Sequence, residues 1–440
     1  MREEPEVFSR YDVRGEAPQE IDSELVHVLG KVLGTYWDEG EVAVGHDYRK
    51  HSAAFYSAVV SGLEEAGCDV KLIGEASTDM VALAAKQKYD AGVMVTASHM
   101  PPEFCGLKPL NTEGRILSNE EMAELKEMYT SCEEKGGDGS KESIDFMETY
   151  IQRITERYRE LFEEPEEIKA VIDPSGSVAA MTGPEALRRI GVDVSTINET
   201  PDPEFRAHSP EPDEEAAQQL CREVRRQNAD FGVIFDGDAD RAMFVDEDGD
   251  FLDGDTALGI FTDRFMEESS EVVLSVNTSS DVTEHASSRG NVTYTPPGAV
   301  FTALECIRGE AVFGGQPNGH LMDRELVPYD SGTAFATYMA GIIHESGELS
   351  ELQKRFGRNE VERIDHRTEE KHEKTEEIRE KAHSNDLLLE EVFNSLLMEY
   401  RNMRVLTRPS GSEPVVRVKI ESEKLEDEHI EDLVEFLELE

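Results

Sequence analysis

The residues best suited to chemistry lie in a few short stretches. An apolar run, Val93-Met94-Val95, ends in Thr96-Ala97-Ser98-His99-Met100-Pro101, and a Pro- and Gly-rich loop then carries Lys108. A serine where a buried strand stops is held rigidly and exposed at one edge of a sheet, which suits a nucleophile. Further on, Asp236-Gly237-Asp238-Ala239-Asp240-Arg241 sets three carboxylates at alternate positions just past the apolar stretch Phe231-Gly232-Val233-Ile234-Phe235. A tight glycine-containing turn lets such oxygens converge on one hard cation, Mg²⁺ foremost. A solvated acidic loop is the plain alternative in so acidic a chain. A Ca²⁺-binding EF-hand loop fails: Glu247 stands at its twelfth position, but the sixth is Arg241 rather than Gly.

Two further loops carry polar groups. Arg408-Pro409-Ser410-Gly411-Ser412-Glu413-Pro414 offers a guanidinium, two hydroxyls and a glycine-opened backbone, with Arg417 nearby. Such groups can wrap a phosphate dianion from several directions, although a polar turn before a strand looks much the same. Gly314-Gly315-Gln316-Pro317-Asn318-Gly319-His320 sets polar side chains between glycines, as a sugar-contacting loop would and as a plain connection also does. Tyr11-Asp12-Val13-Arg14-Gly15 reads on its own as an early strand and turn.

Elements that could position these loops alternate along the chain. Leu25, Val28, Leu29, Val32, Leu33 and Tyr36 mark a first amphipathic helix. The strand Val42-Ala43-Val44 follows, then a helix that Ser52 is placed to cap and Gly67 to stop. Strands at 69–73 and 91–96 alternate with helices, which predicts βαβ units and a largely parallel sheet. The rhythm breaks at Gly136-Gly137-Asp138-Gly139-Ser140 and restarts with a helical stripe at Ile151, Ile154, Tyr158 and Leu161. A third unit opens near Phe251, with strands at 272–276, 292–294 and 311–313, and after about Gly357 the chain reads as charged and helical until a strand at 415–420 and a last helix. The reading is an α/β protein of three related mixed α/β domains (1–138, 139–250, 251–357) and a smaller α+β C-terminal domain (358–440).

Composition narrows the setting. A chain of 440 residues suits roughly three or four domains. Its formal net charge of −51 is spread along the whole length, far beyond the ~2–8 units of a small domain. This predicts an acidic surface working at molar salt, where the Debye length is about 3 Å and self-repulsion is screened. It argues against nucleic acid or anionic membrane as partners. The five cysteines show no zinc spacing and read as free thiols. No apolar run approaches ~18 residues, and the expectation is a cytoplasmic protein, monomer or homodimer.

Taken together, the motifs resemble those of the α-D-phosphohexomutase superfamily of phosphoglucomutases, phosphomannomutases and phosphoglucosamine mutases. The family's TASHNP serine loop is matched at Thr96 to Pro101 with Met100 for Asn, its DGDADR loop at Asp236 to Arg241, its RxSGTEP loop at Arg408 to Pro414 with Ser412 for Thr, and its YDIRG at Tyr11 to Gly15 with Val13 for Ile. The likeness spans nearly the whole chain, including Asp202-Pro203-Glu204-Phe205 through Pro210-Glu211-Pro212. It implies four domains around a central cleft and a phosphoryl group on Ser98, exchanged with a hexose monophosphate through a hexose 1,6-bisphosphate. By the same resemblance, Ser98, Asp236, Asp238 and Asp240 would hold Mg²⁺. Arg14 and Lys108 would assist proton transfer and charge balance, His99 would support the phosphoserine, and His320 would lie near the reacting sugar. Arg241, Gln316 and Asn318 would face the substrate, while Arg408, Ser410, Gly411, Ser412 and Arg417 would hold its distal phosphate. With the acidic surface, the resemblance implies a halophilic archaeal source.

The chain departs from the family where its sugar loop reads Gln316 and Asn318 for Glu and Ser. Met100 and Cys105 replace two Asn of the serine loop, and His46 stands where many members have Arg. The expected substrate is a glucose or mannose phosphate. The alternatives are a phosphoglucosamine mutase, favoured by Gly314-Gly315, and a non-catalytic phosphosugar sensor.

Overall fold

The computed structural model describes residues 5–267, 270–356, 359–410 and 414–439. Within them, four sheets follow one another along the chain. The first runs in the order Val13–Glu16, Phe104–Leu110, Ala91–Val95, Glu41–His46, Asp69–Glu75, Lys141–Ser143. The second is Ala242–Val245, Phe231–Phe235, Lys169–Asp173, Asp193–Thr196, and the third Asn291–Thr295, Glu271–Ser275, Phe313–Gly315, Leu321–Asp323. Helices join the parallel strands. The fourth sheet is antiparallel throughout: Glu360–Arg367, Val415–Ser422, Met403–Pro409, Ser395–Tyr400, Leu388–Val392.

The first three sheets share one device. A parallel strand ends, a loop follows, and the chain returns as an antiparallel neighbour. Ala91–Val95 returns as Phe104–Leu110, Phe231–Phe235 as Ala242–Val245, and Phe313–Gly315 as Leu321–Asp323. The loops so formed hold Ser98, the three aspartates, and Gln316 to His320. Met403–Pro409 and Val415–Ser422 are likewise antiparallel neighbours.

Several local expectations need correction. Parallel pairs predominate in the first three sheets, as expected, but each sheet also takes an antiparallel return strand. Lys108 lies not in a loop but on a strand, paired with Met94. Ser52 is the first residue of helix Ser52–Glu65 rather than its cap, and its hydroxyl donates to Asp47. The first sheet takes a strand from Lys141–Ser143, beyond the Gly136–Ser140 break. The tail after residue 358 is mainly strand, with helices only at Lys371–Ser384 and Asp427–Leu437 among the described residues. Its edge strand Glu360–Arg367 is nowhere fully buried, so charged residues hide the apolar alternation.

The core is continuous across the first three domains. Helix Gly332–Ser346 is buried from Gly332 to Ile343, and Ser331 caps it by accepting the Ala334 N–H at 3.2 Å. Phe335 meets the rings of Phe261 and Phe313 at 5.0 and 5.8 Å. Each such side chain contributes about 1.5–3 kcal/mol on burial. Buried Asp79 bolts the interface, accepting hydrogen bonds from Ser77, from Tyr150 at 2.6 Å and from Ser331. Arg157 crosses the second interface to Asp323 at 2.6 Å.

Candidate active site

Ser98 sits at the end of the fully buried strand Ala91–Val95 in the left-handed region, φ 53°. Its N–H donates to Thr96 Oγ1 at 2.9 Å, and its hydroxyl donates to Asp236 Oδ2 at 2.8 Å. His99 Nδ1 lies 3.4 Å from the same hydroxyl oxygen. The loop is shaped by Arg49, which donates to the carbonyls of Ser98, Met100, Pro101 and Phe104 and lies over the Phe205 ring at 5.0 Å. Buried Asp47 backs Arg49 at 3.2 Å and accepts from Thr96 at 2.7 Å.

The aspartate loop comes directly against this serine. A Cβ on Gly237 would stand 2.4 Å from the Ser98 carbonyl oxygen, so only glycine allows the approach. Asp236, Asp238 and Asp240 are fully buried, and each offers one oxygen within 4.8 Å of the others'. Lys108 Nζ donates to Asp238 and Asp240, each at 2.7 Å, and Tyr329 donates to Asp240 at 2.9 Å. Thr78 donates to Asp238. Arg241 meets Asp236 at 3.3 Å and grips Glu211 through two bonds of 2.8 and 3.0 Å.

The Oδ1 atoms of Asp238 and Asp240 remain buried with no hydrogen-bond partner. Orphaned carboxylate oxygens in an all-oxygen, anionic cluster fit Mg²⁺ as the missing partner. The electrostatics agree. Burial, then Asp240 and Asp238, push the Asp236 carboxyl well above its ordinary range. Burial opposes ionisation of Asp240 as well, yet Lys108, His320 and Arg241 hold it below the usual carboxylate range. Burial, then Arg241, Arg14 and His320, depress His99. Three carboxylates thus lie among the cations Lys108 and Arg241.

The third loop joins through a single β-bridge between Arg241 and His320. His320 Nδ1 is 2.8 Å from Asp330 Oδ2. Gln316 is buried, and its side-chain carbonyl accepts the Gly298 N–H at 2.8 Å, while Asn318 is exposed at the loop tip. Arg14 pairs with Asp12 on the strand beside Phe104–Leu110.

The structure thus gathers Ser98, His99, Lys108, the three aspartates, Arg241 and His320. The C-terminal group stands apart. Ser410 is buried, its carbonyl accepting Lys371 Nζ at 2.8 Å. Arg408 and Arg417 are directly opposed across the strand pair and share one face. Burial raises the Tyr11 hydroxyl, and Arg10 and, more weakly, Arg408 draw it back. Gly411 and Ser412 lie outside the described residues.

Sequence reasoning missed Arg49, Asp47, Thr78 and Tyr329. The first two follow the strand Glu41–His46 at the carboxyl edge of a parallel sheet, where ligands gather, and that position was the available signal. His46 packs on Tyr56 at 4.8 Å.

This geometry defines an enzyme site built around a serine and an acidic metal cradle. Models of three domains, phosphoglucomutase/phosphomannomutase alpha/beta/alpha domains I, II and III, match residues 5–136, 148–249 and 253–358. A probable phosphoglucosamine mutase of Methanopyrus kandleri is 32% identical, the match covering 95% of this chain and 94% of that one. A phosphoglucomutase/phosphomannomutase of Thermococcus kodakarensis is 30% identical, covering 98% of both. In fold, the chain is similar to a phosphoglucomutase/phosphomannomutase family protein from Burkholderia thailandensis, with TM-score 0.89 and 22% identity over 100% of this chain and 98% of that one. The chain belongs to the phosphoglucomutase/phosphomannomutase family, within the α-D-phosphohexomutase superfamily. It is a phosphomutase, an intramolecular phosphotransferase of the isomerase class.

Proposed function

We propose that the protein interconverts hexosamine 1- and 6-phosphates through a phosphorylated Ser98 and a hexose 1,6-bisphosphate intermediate. The observation that carries the phosphoserine is the Ser98 hydroxyl at 2.8 Å from Asp236, beside the orphaned oxygens of Asp238 and Asp240. Phosphoryl transfer demands positioning and charge neutralisation more than covalent chemistry. Arg49 holds the serine backbone, and Lys108 balances two of the aspartates. Mg²⁺ held by Asp236, Asp238, Asp240 and the phosphoserine would neutralise charge on the transferring group. Arg14, His99 and His320 line the reacting end. Arg408, Ser410, Gly411, Ser412 and Arg417 hold the other phosphate, so either end of the bisphosphate can face Ser98.

The amino sugar rests on the relative from Methanopyrus kandleri, a probable phosphoglucosamine mutase. Glucose or mannose phosphate is the second reading, favoured by the relative from Thermococcus kodakarensis. The charge of −51 supports a cytoplasmic protein of a halophile that works in molar KCl. The test is an isomerisation assay in molar KCl with Mg²⁺ and a trace of hexose 1,6-bisphosphate. Glucosamine, glucose and mannose 1-phosphates would compete. Preference for glucosamine 1-phosphate supports the first reading, and preference for glucose or mannose the second. Binding of all three without turnover would sink both in favour of a sensor.

A further inference from the structure

Residues 197–217 link strand Asp193–Thr196 to helix Gln218–Gln227 and form neither helix nor strand. This segment nevertheless delivers Glu211 to the active site. There Glu211 grips Arg241 through both carboxylate oxygens and stands 3.7 Å from His99 Nε2. An irregular segment needs an anchor close to the residue it presents. His208, three residues before Glu211, supplies one. Its side chain is 9% exposed; Nε2 lies 3.2 Å from Asp173 Oδ2, and Nδ1 2.7 Å from the Ser209 carbonyl oxygen. Both ring nitrogens face acceptors. Only the doubly protonated ring donates to both, because a neutral imidazole would set a lone pair against one of them.

Asp173 is well placed to hold that charge. It ends strand Lys169–Asp173, is fully buried, and accepts from Ser175 N–H at 2.9 Å and Asn198 Nδ2 at 2.8 Å. We propose that His208, as its imidazolium, is a positioning residue that staples this segment to Asp173 and so sets Glu211 against Arg241 and the aspartate loop. The charged groups facing the ring are Asp173 from the strand and Asp213 from its own segment. Burial, the largest single influence, disfavours the imidazolium, but Asp173, the Ser209 carbonyl and Asp213 together raise His208 above its ordinary value. A raised value keeps the staple closed to a higher pH than an ordinary histidine would allow and opens it as pH rises through that value.

The inference rests on the mutase reading for its activity arm only. Imidazole ¹⁵N spectra of the full-length protein in molar KCl, with His208→Gln assigning the signal, read the staple without turnover. The expected result is a ring protonated on both nitrogens below a midpoint that lies above ~6.5 and that Asp173→Asn lowers. The Arg241 Nε–H resonance should titrate with the same midpoint. In turnover, the wild type should lose about tenfold in kcat on the alkaline side with KM little changed, the scale of one charge-assisted hydrogen bond. His208→Gln should be flat at the lower level. A purely structural histidine would instead give a variant profile parallel to the wild type. That outcome, or a midpoint at or below ~6.5, overturns the proposal. Should no hexose phosphate turn over, the mutase reading fails while the two NMR signals still decide the staple. Asp173→Asn serves in both arms where His208→Gln does not fold.

Discussion

Lys108, expected to assist proton transfer and charge balance, and Arg417, expected to hold the distal phosphate, are both cations, yet they are held in opposite ways. The Lys108 side chain is 6% exposed and meets two wholly buried carboxylates at 2.7 Å. The Arg417 side chain is 39% exposed and meets Asp365, itself more than half exposed, at 3.6 Å. In the interior, each charge was stripped of water and is tolerable only because its partner is there. On the hairpin, water screens the pair, whose worth is about 0–1 kcal/mol. Stability and chemistry are therefore bound together at the aspartate loop and separable at the C-terminal loop. The division suits a mutase: transfer needs fixed charges, while a substrate that must reorient needs a looser grip on its distal phosphate.

The largest expected effect comes from Ser98→Ala. Turnover of any hexose phosphate should fall at least about 10³-fold, with the melting temperature little changed, because the nucleophile goes and no charge is stranded. Lys108→Ala should do the reverse as well as the same. Besides losing activity, it should destabilise the fold by about 3–5 kcal/mol, since Asp238 and Asp240 lose their shared cation. Thermal unfolding with and without Mg²⁺ checks this, and Mg²⁺ should restore part of the loss. An unchanged melting temperature would mean that these carboxylates do not depend on Lys108.

Salt sharpens the comparison next. Moving from molar to dilute KCl should lower the melting temperature through the exposed acidic surface. The buried Lys108 cluster is screened far less, so Lys108→Ala should cost the same at both salt concentrations where both proteins fold. Full stability and activity in dilute buffer would contradict the halophile reading. The smallest effect is assigned to Arg417→Ala. KM should rise about three- to tenfold, with kcat unchanged and stability altered by less than ~0.5 kcal/mol. A loss of kcat equal to that of Lys108→Ala would erase the distinction.

The serine and aspartate loops were legible because each follows an apolar strand, and an abrupt change from apolar to polar residues survives translation into structure. Strand Phe231–Phe235 is seen in the sequence with the bounds it has in space. The return strand Phe104–Leu110 was not, since Gly106 and Pro109 suggest a loop and its pairing with Ala91–Val95 is set by tertiary contact. The C-terminal sheet was obscured by charge at exposed positions of Glu360–Arg367. Arg49 lies 49 residues from Ser98 and Thr78 160 residues from Asp238, and no local pattern announces such a contact. Gln316 teaches a different lesson. Its type suggests a sugar contact, but its carbonyl oxygen is taken by the Gly298 N–H, which sequence spacing cannot reveal.

The central claim is that Ser98 carries the phosphoryl group. Folded protein in molar KCl with Mg²⁺ would be incubated with glucose 1,6-bisphosphate, analysed by intact-mass spectrometry and peptide mapping, then exposed to a hexose monophosphate. The account predicts a single phosphoryl group, mapped to Ser98, that leaves as the hexose bisphosphate appears. Phosphate on another residue, or turnover persisting in Ser98→Ala, would contradict it.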